Sequence, residues 1–281
     1  MSTPRGAPKT KLSKTESRDV QERMPPRALV VFETVRREGR DELERPVLSL
    51  AASGLAAGLS MGFSLGTAGV LRAFLPDAPW RPLIENFGYT IGFLIVILGR
   101  QQLFTENTLT VILPLLDARD KLPVLAKVAR LWAIVLLSNI AGALIFAFAV
   151  AHSDAFGPDV RHAFTAIATR AVTSGGFWTL LVRAIFAGWM IALMVWLLPA
   201  ADQSRPLVIV VITYIVGIAG FSHIIAGSVD VLYLVAIGNL SFGAYLFGFA
   251  LPVFVGNVIG GVALVALLNY GQVVAETQQK S

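Results

Sequence analysis

The chain has 281 residues, 55% of them hydrophobic and 15% charged, with a formal net charge of +5 at pH 7. A mean hydropathy of +0.69 exceeds what a soluble domain needs to fill a core, so the composition specifies an integral membrane protein. The complete lack of cysteine excludes disulfides, zinc thiolates, iron–sulfur clusters and thiol nucleophiles.

Residues 1–46 are rich in Lys, Arg, Asp and Glu and contain no apolar h-region, so a retained tail is expected rather than a cleavable signal peptide. Met1 to Pro26 reads as a disordered leader. In Ala28 to Arg45, Leu29, Phe32 and Val35 recur at helical spacing among charges. This predicts a short amphipathic helix on the membrane surface, with a solvated helix or coil as the other reading.

Six apolar units follow, each near the 20 or so residues that span roughly 30 Å of hydrocarbon as helix. The first runs from Val47 to Leu71 and repeats small residues, as expected of close packing. The second, about Leu83 to Leu116, is interrupted at Gly99-Arg100-Gln101-Gln102 and Glu106-Asn107. The third and fourth are Leu131 to Ala151 and about Phe177 to Ala201. The fifth, Pro206 to about Ile237, is interrupted at Gly217, Gly220, His223 and Asp230, and the sixth runs from about Leu251 to Asn269. Polar, glycine-bearing breaks at membrane depth are tolerated only where the backbone faces protein or a wet cavity. Both breaks therefore predict an interior pathway.

The expected fold is an all-α integral membrane protein of six transmembrane helices, the second and fifth broken. A channel domain at 47–270 lies between cytoplasmic tails at 1–46 and 271–281. Basic residues concentrate before the first span and at Arg119, Lys121, Lys127 and Arg130, against fewer at Arg72, Arg81, Arg161, Arg170 and Arg183 on the other side. Positive-inside then places both termini in the cytoplasm of a plasma (inner) membrane protein. This asymmetry accounts for a pI near 9.7 without a nucleic-acid partner.

An Asn-x-x-Gly pair, Asn139-Ile-Ala-Gly142 and Asn257-Val-Ile-Gly260, recurs 118 residues apart. The same offset carries Gly99 onto Gly217 and Thr105 onto His223, superimposing the two broken helices. Three spans per half forces the halves, about 47–151 and 171–269, to insert in opposite directions. Inverted repeats with broken helices are an architecture of channels and secondary transporters.

His223 is the leading functional candidate, because an ionisable group at membrane depth is costly unless it meets a cavity or partner, and imidazole can carry a proton. Packing between helices is its plainer explanation. Arg100, Glu106 and Asp230 are read as a polar cluster that neutralises itself, with Arg100 as a source of positive potential for an anion in the other reading. Asn139 and Asn257 suit interhelical bonding or capping of broken segments. Tyr89 and Phe93, four apart on one face, and Phe104 suit packing. The sequence carries no hydrolase, metalloprotease, phosphate-loop or dinucleotide signature, so neither an enzyme nor a cofactor or metal site is expected.

The ensemble of Leu103-Phe104-Thr105, Asn139-Ile-Ala-Gly142, Gly188-Trp189 with Val195-Trp196, Phe221-Ser-His223 with Ala226, and Gly256-Asn257-Val-Ile-Gly260-Gly261 resembles the formate/nitrite transporter family. The resemblance spans roughly 47–270. It implies an aquaporin-like six-helix protomer, a homopentamer, and one pore per protomer for small monovalent anions such as formate, nitrite or hydrosulfide. By that resemblance Thr105 and His223 line the pore centre. Leu103, Phe104, Tyr89, Phe93, Ile191 and Val216 form its constrictions. Typical members have Asn in place of Gly188, Glu in place of Ser222 and Asn in place of Gly227. They also have a vestibule lysine, to which Arg170 is the nearest basic residue here.

A dry pore opposes a bare anion, whereas a weak-acid anion that gains a proton crosses as a neutral molecule. The sequence thus points to a channel or transporter for small weak-acid anions, with His223 as a source of the proton or only of a hydrogen bond. A channel for a small neutral solute, and more remotely a membrane enzyme or scaffold, are the alternatives.

Overall fold

The computed structural model describes residues 12–24, 26–268 and 270–272, and its ordered elements are all helical. The expected leader up to Lys11, the end of the sixth span at Asn269 and the C-terminal tail after Gln272 lie outside the described residues.

Lys14–Arg23 forms a helix, α1, where the charged composition predicts disorder. A capping box explains it. The Ser13 N–H donates to Glu16 Oε2 (2.8 Å) and the Glu16 N–H to Ser13 Oγ (3.2 Å), which satisfies first-turn donors reciprocally. The predicted amphipathic helix is present as α2, Ala28–Leu43, with Val31, Phe32, Val35, Gly39 and Leu43 buried.

Val47–Phe74 (α3) and Arg81–Leu98 (α4) follow as long apolar helices. After a break come two short helices, Phe104–Thr110 (α5) and Ile112–Asp117 (α6). Pro114 separates them, since it has no N–H to give to the Thr110 carbonyl four residues earlier. That carbonyl faces Gly39, where a Cβ would stand 1.9 Å from it, so the glycine lets α2 lie directly on the second unit. Arg40 pairs with Asp117 at 2.9 Å, and Arg36 pairs with the same carboxylate. The apolar face of α2 is therefore covered by protein, not laid on lipid as a free surface helix.

Lys121–Ala151 (α7) starts earlier than its apolar run, because Asp120 caps the helix by accepting from the Leu122 N–H. Pro158–Thr173 (α8) is a further helix between the third and fourth apolar units, and it packs against α3. Phe177–Leu197 (α9) precedes the second broken unit, Arg205–Ile218 (α10) and Ile224–Ala236 (α11). The last unit begins at Phe242, well before Leu251: Phe242–Ala244 (α12), a π-helical turn Tyr245–Ala250, Leu251–Val258 (α13), and a second π segment Ile259–Ala266. Pro252 removes the donor that the Gly248 carbonyl would use in an α-helix, and the wider π turn beside it accommodates that loss.

Among the described residues, five helices are long and apolar enough to cross a membrane, and α10 with α11 supplies a broken further unit. The small residues of α3 do not form a free face. Gly54, Ala57, Gly58, Gly62 and Ala68 are buried, and α3 packs on α4, α7 and α8 of the same chain. A Cβ at Gly58 would stand 2.1 Å from the Asn139 carbonyl oxygen of α7.

Candidate functional site: the junction of the two broken helices

The two breaks are built alike. At the end of α4 the Gln101 N–H reaches the Val96 carbonyl (2.9 Å) and the Arg100 N–H the Ile97 carbonyl (3.2 Å). At the end of α10 the Phe221 N–H reaches Val216 (3.0 Å) and the Gly220 N–H reaches Gly217 (3.0 Å). This is the Schellman ending, and it requires a left-handed residue after the cap. Gly220 supplies it at φ 65°, and Arg100 adopts the same conformation at φ 51° despite its side chain. Each chain then runs extended to a residue that opens the next helix, Leu103 before α5 and His223 before α11.

Each break is held by one asparagine. Asn139 Oδ1 accepts from the Phe104 N–H (2.9 Å), while its Nδ2 donates to the carbonyls of Gln102 and Gly54 (both 2.8 Å). Asn257 Oδ1 accepts from the Ile224 N–H (2.8 Å), and its Nδ2 donates to Ser222 (2.9 Å) and Ala184 (2.8 Å). Both side chains are fully buried, and each uses two bonds to satisfy backbone groups that the break frees and the third to tie the break to a neighbouring helix, α3 at Gly54 and α9 at Ala184. By these bonds the counterpart of His223 is Leu103, and that of Gly220 is Arg100, 120 positions apart. The offset of 118 holds for the asparagines but slips by two at the breaks, so Gly99 and Gly217 are not counterparts.

His223 and Thr105 nonetheless meet. His223 Nε2 lies 2.8 Å from Thr105 Oγ1, and both residues are buried. His223 Nδ1 accepts from the N–H groups of Ile225 and Ala226, each at 3.2 Å, and so caps α11. A ring nitrogen that accepts carries no proton, so the network assigns the hydrogen to Nε2, which donates to Thr105. The Thr105 hydroxyl hydrogen is then free for an acceptor. Phe93 stands edge-on to the imidazole at 4.9 Å, and Tyr89 packs on Phe93 at 5.3 Å. Ile191, Val216 and Leu103 are also buried. The Phe104 ring lies against Trp132 and Phe254, contacts that packing between α7 and α13 explains.

Two cavities approach this region. One, of about 490 Å³, is bordered by Glu38, Glu42, Arg100, Gln102, Glu106 and Arg205 among others. The other, of about 300 Å³, is bordered by Glu85, Tyr89, Arg170, His223 and Asp230 among others. The expected polar cluster is therefore divided. Arg100 and Glu106 border one cavity and Asp230 the other, while Asn139 and Asn257 are occupied with the breaks. Arg100 is exposed and reaches Glu38 at 3.8 Å, not Glu106 or Asp230.

Two carboxylates escaped the sequence reading. Glu42 accepts from Gln102 Nε2 (3.1 Å), Asn107 Nδ2 (3.0 Å) and Thr110 Oγ1 (2.9 Å), tying α2 to the broken second unit. Glu85, buried in α4, binds Arg72 at 2.8 Å and Arg170 at 3.3 Å. Neither stands out by periodicity, because Glu42 sits in a charged run and the partners of Glu85 come from α3 and α8.

Residues 29–271 match the family model described as "Formate/nitrite transporter". The chain belongs to the formate/nitrite transporter family. Among its relatives in that family is the inner membrane protein YfdC of Escherichia coli K12, 40% identical over 90% of this chain and 81% of that protein. The formate-nitrite transporter of Plasmodium malariae is 30% identical over 78% of this chain and 74% of its own. A solved structure described as a pentameric formate channel with formate bound shares the fold, with a TM-score of 0.67 at 18% identity, covering 85% of this chain and 99% of that one. The chain is thus a multi-pass membrane protein, and its family and structural neighbours are transporters and channels, not enzymes.

Packing explains two departures from typical formate/nitrite transporters. At Gly188, where α9 crosses α13, a Cβ would stand 2.3 Å from the Asn257 carbonyl oxygen. At Gly227 a Cβ would fall 2.4 Å from the Phe249 ring, which fills that space instead.

Proposed function

We propose that the protein conducts small monovalent weak-acid anions of the formate and nitrite type through a pore within each protomer. The observation that carries this reading is the Thr105–His223 hydrogen bond, which joins the two helix breaks beside the cavities just described. It is supported by the family and by the formate channel named among its structural neighbours.

In this reading the six units form two inverted three-helix repeats in an aquaporin-like arrangement, with both termini cytoplasmic. The matching Schellman endings and asparagine staples support the pairing of the halves. The larger cavity, bordered by α2, is the cytoplasmic vestibule. Phe93, Tyr89, Leu103, Ile191 and Val216 form the dry wall around the centre, where a bare anion is disfavoured and a neutral acid passes. The Thr105 hydroxyl donates to the permeant, and the His223 Nε2–H holds that hydroxyl in place.

Uptake of formate and nitrite into proteoliposomes tests this. Flux accelerated by an inward proton gradient supports a weak-acid pathway. Gradient-independent flux of a neutral solute such as glycerol or urea, with no anion flux, supports the neutral-solute reading in its place.

A further inference from the structure

Resting on that reading, we infer that Glu106 and Asp230, one in each vestibule, exchange protons with the permeating acid, while His223 stays neutral throughout. Three observations carry this, the first at the histidine. His223 Nδ1 is engaged by two backbone N–H groups and Nε2–H by Thr105. To lend a proton it would first have to become imidazolium, which places an Nδ1–H against the Ile225 and Ala226 donors and breaks the cap of α11. The ring is built to orient, and its proton inventory is fixed by the fold.

The second observation concerns Asp230. It borders the cavity that His223 and Tyr89 also border. The other titratable or charged groups around that cavity are Glu85 from α4, Arg170 from α8 and Arg183 from α9. Arg170 is committed to Glu85, and Arg183 donates to the Ser174 carbonyl. Among the described residues no cation comes within 4.0 Å of the Asp230 carboxyl and no side chain hydrogen-bonds it.

The third is the same situation at Glu106. Around its cavity stand Glu38, Asp41 and Glu42 from α2, Arg45 from the bend that follows it, Arg100 from the break and Arg205 from α10. Arg100 reaches Glu38, Arg45 donates to Ser49 Oγ and Arg205 to the Leu198 carbonyl. Glu42 is saturated by Gln102, Asn107 and Thr110. The Glu106 carboxyl is left without an ion-pair or hydrogen-bond partner among the described residues.

A carboxyl at membrane depth with no partner, open to a cavity, is free to change its protonation state without dismantling structure. At entry the carboxylic acid gives its proton to the anion: RCOOH and HCOO⁻ become RCOO⁻ and HCOOH. At exit the second carboxylate takes the proton back from the neutral acid and releases the anion. Each carboxyl then re-equilibrates with vestibule water, so one proton accompanies each anion.

The test is formate and nitrite flux in proteoliposomes across external pH, with internal pH followed by a trapped dye, for the wild type, Asp230→Asn, Glu106→Gln, Asp230→Glu and His223→Asn. Proton exchange through the carboxyls predicts that Asp230→Asn and Glu106→Gln each lower flux on the order of tenfold or more and flatten its pH dependence. Asp230→Glu restores the profile, and His223→Asn lowers the rate while keeping it. Wild-type pH profiles in well-folded Asp230→Asn and Glu106→Gln, with a flattened one in His223→Asn, would overturn the inference and return proton exchange to the histidine. If Asp230→Asn does not fold, Glu106→Gln and Asp230→Glu decide the matter. A wild type that carries neither anion refutes the channel reading itself, a result distinct from unaltered variants in an active background.

Discussion

Asn139 and Asn257 show how a single side chain makes a helix break tolerable inside a membrane. Each offers its acceptor to a freed N–H and one donor to a freed carbonyl, groups that lipid cannot satisfy, and its second donor to a carbonyl of a neighbouring helix. Asn257→Ala removes the partner of the Ile224 N–H and the Ser222 carbonyl and cuts the tie to α9 at Ala184, and is predicted to destabilise the protein by about 2 kcal/mol or more. Asn257→Asp is predicted to be worse than its small size change suggests, since it retains the acceptor for Ile224 but sets an oxygen against the Ser222 and Ala184 carbonyls. Thermal unfolding of both variants in one detergent checks this, and a midpoint unchanged from wild type would contradict it. These asparagines were legible as structural residues, because a mid-span amide beside small residues has few other uses. The meeting of Thr105 with His223 was legible too, although through a repeat offset that slips by two at the breaks. The exposure of Arg100 was not: sequence supplies its charge and its place in a break, but not the left-handed backbone that turns it toward Glu38.

At the scale of elements, the lengths and boundaries read from hydrophobicity fail wherever a polar or small residue decides them. Asp120 starts α7 ahead of its apolar run, Ser13 and Glu16 create α1 within a charged tail, and Pro252 goes with the π turn at Tyr245–Ala250 in the last unit. The amphipathic pattern of α2 was legible, but its destination was not, because the residues that fasten it lie some 60 to 80 positions away in α5 and α6. Glu42 is the buried end of that fastening. Burial is the larger influence on its carboxyl and raises it above the ordinary carboxylate range, while Gln102 and Thr110 pull the other way. The docked helix therefore holds a proton that a detached one releases, so this contribution is present at low pH. It is lost as pH rises from the ordinary carboxylate value of about 4 through the raised one. Hydrogen exchange in α2, corrected for intrinsic rates, is predicted to quicken over that window in the wild type and to lose this dependence in Glu42→Gln. Equal pH dependence in both proteins would remove Glu42 as its cause.

For the whole molecule, the small-residue stripe of α3 is consumed inside the protomer, so association between copies must use other surfaces. Large apolar side chains remain exposed on α7, among them Leu137, Ile145 and Phe148, and on α9, among them Trp178 and Phe186. These face lipid or a neighbouring copy. The family resemblance read from the sequence leads us to propose five copies, which native mass spectrometry of the detergent-solubilised protein would find as a pentamer. A stable monomer or dimer would contradict that assembly without touching the proposed pathway between the two breaks of one chain.

The measurement that bears most directly on the central claim is initial uptake of formate and nitrite by proteoliposomes holding the purified wild-type protein, with and without an inward proton gradient. The pathway described here predicts anion uptake well above that of protein-free vesicles, accelerated by the gradient and accompanied by acid entering the lumen. Uptake of both anions no faster than in protein-free vesicles, from protein verified as folded, would contradict it.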